Sequence, residues 1–296
     1  MQKKIALLMK NNYMFDFSKR NMECILLTQK SLWRTDLPNM MVRALRNLSF
    51  GVKRAINIRA NEFYDIAIIA DTEVTPCALE YIKKKPIAQK QYIFFWNKVS
   101  DNNKYILKAA QNSNISVSTY NLSDARQYGL EYRRQCWNED WIHPEVETED
   151  YDIAFLGAEK GRYKDIVEIL HFAESNHMRT NFTIISPHGK PYTTKKRIAY
   201  SEYINIVKRS KAVLDIVTQD NYGLTYRPLE AMFLQKKLIT NYRDIVQYDF
   251  YEPNKDNIYI VENEKLRGLD TFLNAPLKES DFSMRQYDIL YWLRSF

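Results

Sequence analysis

Glycine is scarce in this chain, with seven residues in 296. Three large enzyme classes need glycine patterns that are missing. There is no GxxxxGK[ST] phosphate loop, no GxGxxG dinucleotide fingerprint and no GxSxG nucleophile turn. An NTPase, a dinucleotide oxidoreductase and an α/β-hydrolase are therefore not expected. Cysteine is also rare: Cys24, Cys77 and Cys136 are far apart, odd in number and in no CxxC pair. That usage suits reduced thiols in the cytoplasm. The four histidines, His143, His171, His177 and His188, have no metal-binding spacing, so no metal is expected. Long apolar runs are absent as well. The five residues Ile5 to Met9 are too few for a signal-peptide core and read as a first buried strand.

Positive charge is in excess. Lys and Arg number 43 against 36 Asp and Glu, a net +7, and the pI is about 9.0. A basic balance favours partners that carry phosphate. No nucleic-acid motif accompanies it, so nucleic acid is not expected. Lys83-Lys84-Lys85 and Lys195-Lys196-Arg197 read either as solvated lysines or as contacts to anionic headgroups. The second option places the protein in the cytoplasm, peripheral on the inner membrane.

Apolar runs alternate with amphipathic stretches. Strands are predicted at 5–9, 24–27, 66–70, 92–96 and 115–119, with helical spacing over 38–58, 76–84 and 103–112. The rhythm breaks from Ser123 to Glu149 and restarts. Strands at 153–157, 181–186, 212–216, 237–240 and 257–260 then alternate with helices at 163–175, 201–209 and 228–234. Such alternation predicts an α/β fold of two Rossmann-like domains with parallel sheets facing a cleft. The expected division is 1–145, 146–280 and a C-terminal helix, 281–296, packing back on the first domain.

In such sheets ligands bind at the carboxyl ends of strands. Gly157 and Gly161 follow a strand, and glycine there lets backbone approach a ligand. Lys160 and Arg162 would then meet a diphosphate; a plain turn with surface charges is the other reading. From Asp215 the chain passes through a polar loop into a helix near Pro228. Free amides at that start suit a diphosphate, with Arg227 beside them. Glu230, read as first-turn, would aim its carboxylate at ribose hydroxyls, or would simply favour the helix start.

Several stretches resemble bacterial lipopolysaccharide and capsule glycosyltransferase-like proteins of the GT-B fold. They are Tyr151 to Gly157 with Lys160-Gly161-Arg162, Ser210 to Asp215, Gln219, Gly223-Leu224-Thr225-Tyr226-Arg227-Pro228-Leu229-Glu230, Lys236 to Asn241, Asp249-Phe250-Tyr251 and Asn257 to Ile260. In the first half, Phe95 to Lys98 and Ser123 to Leu130 are also similar. The resemblance implies transfer of a sugar from a nucleotide-sugar co-substrate, such as a UDP-sugar, to a glycan or lipid-linked acceptor. It implies that the Gly223–Arg227 loop, with Gly223, Leu224, Thr225 and Arg227, meets the diphosphate and that Glu230 meets the ribose; with Gly157, Lys160, Arg162 and Gln219 these make up the expected donor site. Asp150-Tyr151-Asp152 spells the DxD of metal-dependent GT-A transferases but precedes a strand and reads as linker. A general base is expected at a strand end of the first half: Asp71 first, Asp16 second, with turn or capping roles as the alternative. Trp96, Trp137 and Trp141 read as sugar platforms or as core. A non-catalytic nucleotide-sugar or glycan-binding protein of the same fold is the rival reading.

Overall fold

The computed structural model describes all residues except Met1, 11–21, Glu23, Ser49, 59–61, Asn112, 143–147, 219–222 and 262–265. Asp16 and Gln219 lie outside the described residues. The chain divides into two compact units, Met1–Arg134 with Ser295–Phe296, and Gln135–Arg294. The helix expected to close the chain counts with the second unit, and only its last two residues count with the first.

The first unit runs β1 (Lys3–Leu8), β2 (Ile25–Lys30), α1 (Asn39–Arg46), α2 (Val52–Ala55), β3 (Tyr64–Ala70), α3 (Pro76–Lys84), β4 (Ala88–Phe95), α4 (Tyr105–Ala110), β5 (Ile115–Thr119), α5 (Leu122–Tyr128) and β6 (Glu131–Tyr132). Its six strands are all parallel, in the order β2-β1-β3-β4-β5-β6. β3 is central because its apolar run allows burial on both faces. α3 starts where Thr75 accepts the Ala78 N–H and Pro76 supplies a preset first turn.

The single helix expected over 38–58 is two. At Gly51 the chain turns so tightly that a Cβ would stand 2.8 Å from the Leu45 carbonyl oxygen. The stretch after Ser123 is not irregular throughout either. Asn121 caps α5 through the Ser123 and Asp124 amides, Gly129 closes it at φ 64°, and β6 follows.

The second unit runs β7 (Tyr151–Ala158), α6 (Tyr163–Ser175), β8 (Thr180–Ile185), β9 (Thr193–Thr194), α7 (Tyr200–Lys208), β10 (Ser210–Asp215), α8 (Tyr226–Phe233), β11 (Lys237–Thr240), α9 (Tyr251–Asn254), β12 (Ile258–Ile260), α10 (Leu269–Asn274) and α11 (Ile289–Arg294). Its strands are also all parallel, in the order β9-β8-β7-β10-β11-β12. Counted from β7, that is 3-2-1-4-5-6, the order of dinucleotide-binding folds. Its core joins Ile153 and Phe155 of β7 with Ile166 and Ile169 of α6 and Ala212 and Leu214 of β10. Two Rossmann-like α/β units are thus present, as the alternating pattern implies.

Candidate functional site: the switch point of the second sheet

A 3-2-1-4-5-6 sheet opens a crevice where strands 1 and 4 send their connections in opposite directions. Here those strands are β7 and β10. Two guanidiniums fill the crevice mouth. Arg162, the N-cap of α6, donates to the Ala158 carbonyl through Nε at 3.2 Å and Nη2 at 3.1 Å, and to the Ile216 carbonyl through Nη1. Arg227, in the first turn of α8, donates through Nη2 to the Leu156 carbonyl. Both lie near the ring of Phe155, 5.6 and 5.9 Å from its centre, within cation–π range.

The electrostatics follow from this crowding. Burial, and then the neighbouring Arg227 charge, lowers the Arg162 pKa to about 10. The carboxylate behind them is Asp215, which is fully buried. Its Oδ1 accepts from Thr225 at 2.8 Å and its Oδ2 from Thr240 at 3.2 Å. Burial raises the Asp215 pKa, opposed by Arg227, the threonine bonds and Arg162. Thr225 also caps α8 by accepting the Arg227 amide at 3.3 Å. One threonine therefore ties the helix start to the end of β10.

Gly157 has a role different from the one expected. A Cβ there would stand 2.8 Å from Arg162 Nη2, 3.1 Å from the Phe155 ring and 3.3 Å from Arg227 Nη2. The missing side chain makes room for the arginines rather than for a ligand against the backbone. Lys160, at φ 39°, and Gly161, at φ 83°, form the turn into α6, with the Lys160 side chain exposed. Between them and the strand, Glu159 accepts from Ser186 at 2.9 Å and Lys190 at 2.8 Å, and Lys190 holds its carboxyl below the ordinary range. Gly223 and Leu224 are buried just before the α8 cap.

Glu230 does not present an open carboxylate. α8 begins at Tyr226, so Glu230 lies beyond its first turn, and it is 2% exposed. Each carboxylate oxygen accepts a tyrosine hydroxyl at 2.8 Å, Oε1 from Tyr200 and Oε2 from Tyr203. Trp137 extends the chain by donating its indole N–H to the Tyr200 hydroxyl at 2.7 Å. Burial raises the Glu230 carboxyl, and burial beside this carboxylate pushes both tyrosines well up. As placed, Glu230 anchors α8 to α7. Trp137 is fully buried against Phe233, and Trp141 packs edge-on to Tyr200, so Trp137 is core. Asp150 pairs with Arg209, and Asp152 with Lys211 at 2.8 Å and Arg179 at 3.6 Å, at the amino end of β7.

In the first unit Asp71 follows β3 and is nearly buried. Its carboxylate accepts the Trp96 amide at 3.0 Å and the Asn97 side chain at 3.0 Å, with Asn103 at 3.4 Å. Burial raises its pKa against these bonds. So placed, it fastens the loop after β4. Trp96 packs edge-on to Phe94.

The sequence reading missed Phe155, Tyr200 and Tyr203. The tyrosines are three apart on one helix face, a legible spacing, but their partner Glu230 had been assigned elsewhere.

No protein-family model matches the chain, and no curated protein matches it. Among solved structures, a crystal structure of the glycotransferase of kitacinnamycin is similar over 93% of this chain and 92% of that one, at 7% identity and a TM-score of 0.48. A putative D-isomer specific 2-hydroxyacid dehydrogenase, NAD-binding, from Polaromonas sp. JS6 66 matches over 93% and 88%, at 11% identity and a TM-score of 0.25. An acyclic imino acid reductase in complex with NADPH and D-Arg matches over 98% and 94%, at 15% identity and a TM-score of 0.22. At these scores the likenesses carry no functional weight.

Proposed function

We propose that this chain is a glycosyltransferase that takes a nucleotide-sugar, such as a UDP-sugar, and transfers the sugar to a hydroxyl of a cell-surface glycan or lipid-linked acceptor without a metal. The observation that carries this reading is the Arg162–Arg227 pair at the β7/β10 switch point. Two adjacent guanidiniums repel one another, and burial pushes the carboxylate behind them, Asp215, toward its neutral form. A diphosphate offers both guanidiniums charge-assisted, bidentate bonds. α6 begins beside them with no side-chain cap, so its first amides add donors. As the sugar leaves, negative charge grows on the diphosphate, and cations fixed beforehand stabilise it. Lys160 adds an exposed cation from the turn. Glu230, through Tyr200 and Tyr203, holds α8 and hence Arg227 in position.

Titrating the protein with UDP tests this. Arg227→Gln and Arg162→Gln should each weaken affinity roughly ten- to hundred-fold, the worth of a hydrogen bond to a charged group. Unchanged affinity in both variants would remove the assignment.

One observation favours nucleotide-sugar binding without transfer: the described carboxylates Asp71 and Glu230 are both closed in by donors. Tight UDP binding with neither transfer nor donor hydrolysis across a panel of envelope acceptors would establish that reading.

A further inference from the structure

The first unit has a cavity of about 520 Å³ at the carboxyl ends of β1 and β2, covered by α1. Its charged lining, among the described residues, is of one sign. Lys10 follows β1, Lys30 ends β2, Arg34 follows it, and Arg43 and Arg46 come from α1. Among the described residues no carboxylate is in the lining. Lys30 pairs with Glu62 and Arg34 with Asp36. Lys10, Arg43 and Arg46 have no acidic partner among the described residues. Arg46 carries the sharpest signal: its Nε is shielded from solvent and has no hydrogen-bond partner among the described residues. A buried donor left unmade is costly, and an anion in the cavity satisfies it.

Basic residues late in a helix are also favoured by its dipole, which accounts for Arg43 and Arg46 in part. It does not account for the cations that the two strands bring to the same cavity, or for the enclosed Nε.

A second, independent feature lies on the same helix and its exit. Met40 is 82% exposed and Phe50 81% exposed, the two most exposed large apolar side chains among the described residues. Met41 and Leu48 are exposed beside them. α1 thus turns Asn39, Val42, Arg43 and Arg46 to the cavity, three and four apart, and leaves methionine open next to them. Cations around a pocket with bare apolar side chains next to it match the two halves of a lipid phosphate at a bilayer surface.

We propose that this cavity holds the phosphate of a membrane lipid, with Lys10, Arg43 and Arg46 on the phosphate and Met40 and Phe50 entering the acyl region. The inference goes beyond sugar transfer and does not depend on it, because lipid binding is measured with no donor present.

The experiment is co-sedimentation of the full chain with vesicles of phosphatidylcholine alone and of phosphatidylcholine with phosphatidylglycerol at three to one. Binding should need the anionic lipid. Arg43→Gln with Arg46→Gln should lower partitioning roughly thirty-fold. Met40→Ser with Phe50→Ser should also lower it while leaving binding of inorganic pyrophosphate, measured with saturating UDP to fill the donor site, unchanged. If the arginine pair fails to fold, as judged by thermal unfolding, Lys10→Gln replaces it and should lower partitioning several-fold. Partitioning unchanged by the cavity variants but lost on replacing Lys83–Lys85 overturns the proposal in favour of the surface cluster. Partitioning indifferent to Met40 and Phe50 overturns it in favour of a soluble anion site. UDP affinity, read separately, should stay the same in every variant, so failure here leaves the donor-site reading standing.

Discussion

Both sheets bring cations to their carboxyl edges, and they hold them in opposite ways. At the second sheet, Arg162 and Arg227 are packed over Phe155 and bonded to the strand carbonyls, with Asp215 behind them. At the first, Lys10, Arg43 and Arg46 border an open cavity without acidic partners among the described residues. The difference teaches what each edge is suited to. A guanidinium fixed in place before its ligand arrives loses little order on binding and can stabilise charge as it develops. The lowered Arg162 pKa is the sign of what that fixing costs. Long side chains around an open cavity adapt to a ligand instead, and suit attachment better than chemistry.

The comparison predicts that the second edge is rigid because of what lies beneath it. Glu230→Ala removes the acceptor of both Tyr200 and Tyr203 and leaves a hole under α8. Two buried hydroxyls without partners and the lost packing should cost about 3–5 kcal/mol of stability. Urea unfolding reads this directly. A cost below about 1 kcal/mol, within the range of ordinary surface substitutions, would mean that the network does not brace the site.

The same carboxylate gives a pH dependence of definite sign. Burial raises the Glu230 pKa in the fold above its ordinary value. The folded chain therefore holds this proton more tightly than the unfolded one. Its stabilising effect is complete below the unfolded carboxyl pKa of about 4.3 and is lost as pH rises through the folded pKa. Glu230→Gln has no proton to lose. Between those two pKa values the stability of the parent protein should fall relative to the Gln variant as pH rises, by at most about 1.4 kcal/mol per pH unit. Above the folded pKa the gap should be constant. Parallel stability curves over the whole range would show that Glu230 is not held protonated by its surroundings.

How far all this could be read beforehand depended on which physical signal each element carried. The helix at 163–175 and the strands at 115–119 and 237–240 match their expected bounds: the helix shows a core face, Ile115 and Val117 alternate with serines, and Leu238-Ile239 is a short apolar pair between polar ends. α5 was missed because its one fully buried residue is a charged one, Asp124, which no hydrophobic pattern reveals. Asn121 and Gly129, its cap and stop, were the legible signs. β9 has two residues and no pattern at all. Near the switch point, the places of Arg162 and Arg227 beside strand ends were legible in the sequence. The register of α8 was misjudged, because Pro228 looked like a helix start. Thr225 caps the helix, so α8 starts two residues earlier and Glu230 falls in its second turn, buried. Asp71 stands at a strand end as expected, yet its three donors come from residues 25 to 32 positions onward, which local spacing does not show.

The smallest change tests the difference between the edges most closely. Gly157 has no left-handed backbone requirement, so Gly157→Ala brings no conformational strain. Only space is at issue. The new methyl would press on Arg162 Nη2 at 2.8 Å, a side-chain end that can swing away, and on the Phe155 ring at 3.1 Å, which can yield little. Stability should therefore fall by only about 1 kcal/mol, at the low end for overpacking. Arg162, however, cannot keep its place over Phe155, and UDP affinity should fall further than the stability change alone suggests, by roughly ten-fold. Vesicle binding through the first unit should not move. If Gly157→Ala lowers stability by this amount but leaves UDP affinity intact, the arginines need not be held in place to work, and the second edge is as adaptable as the first.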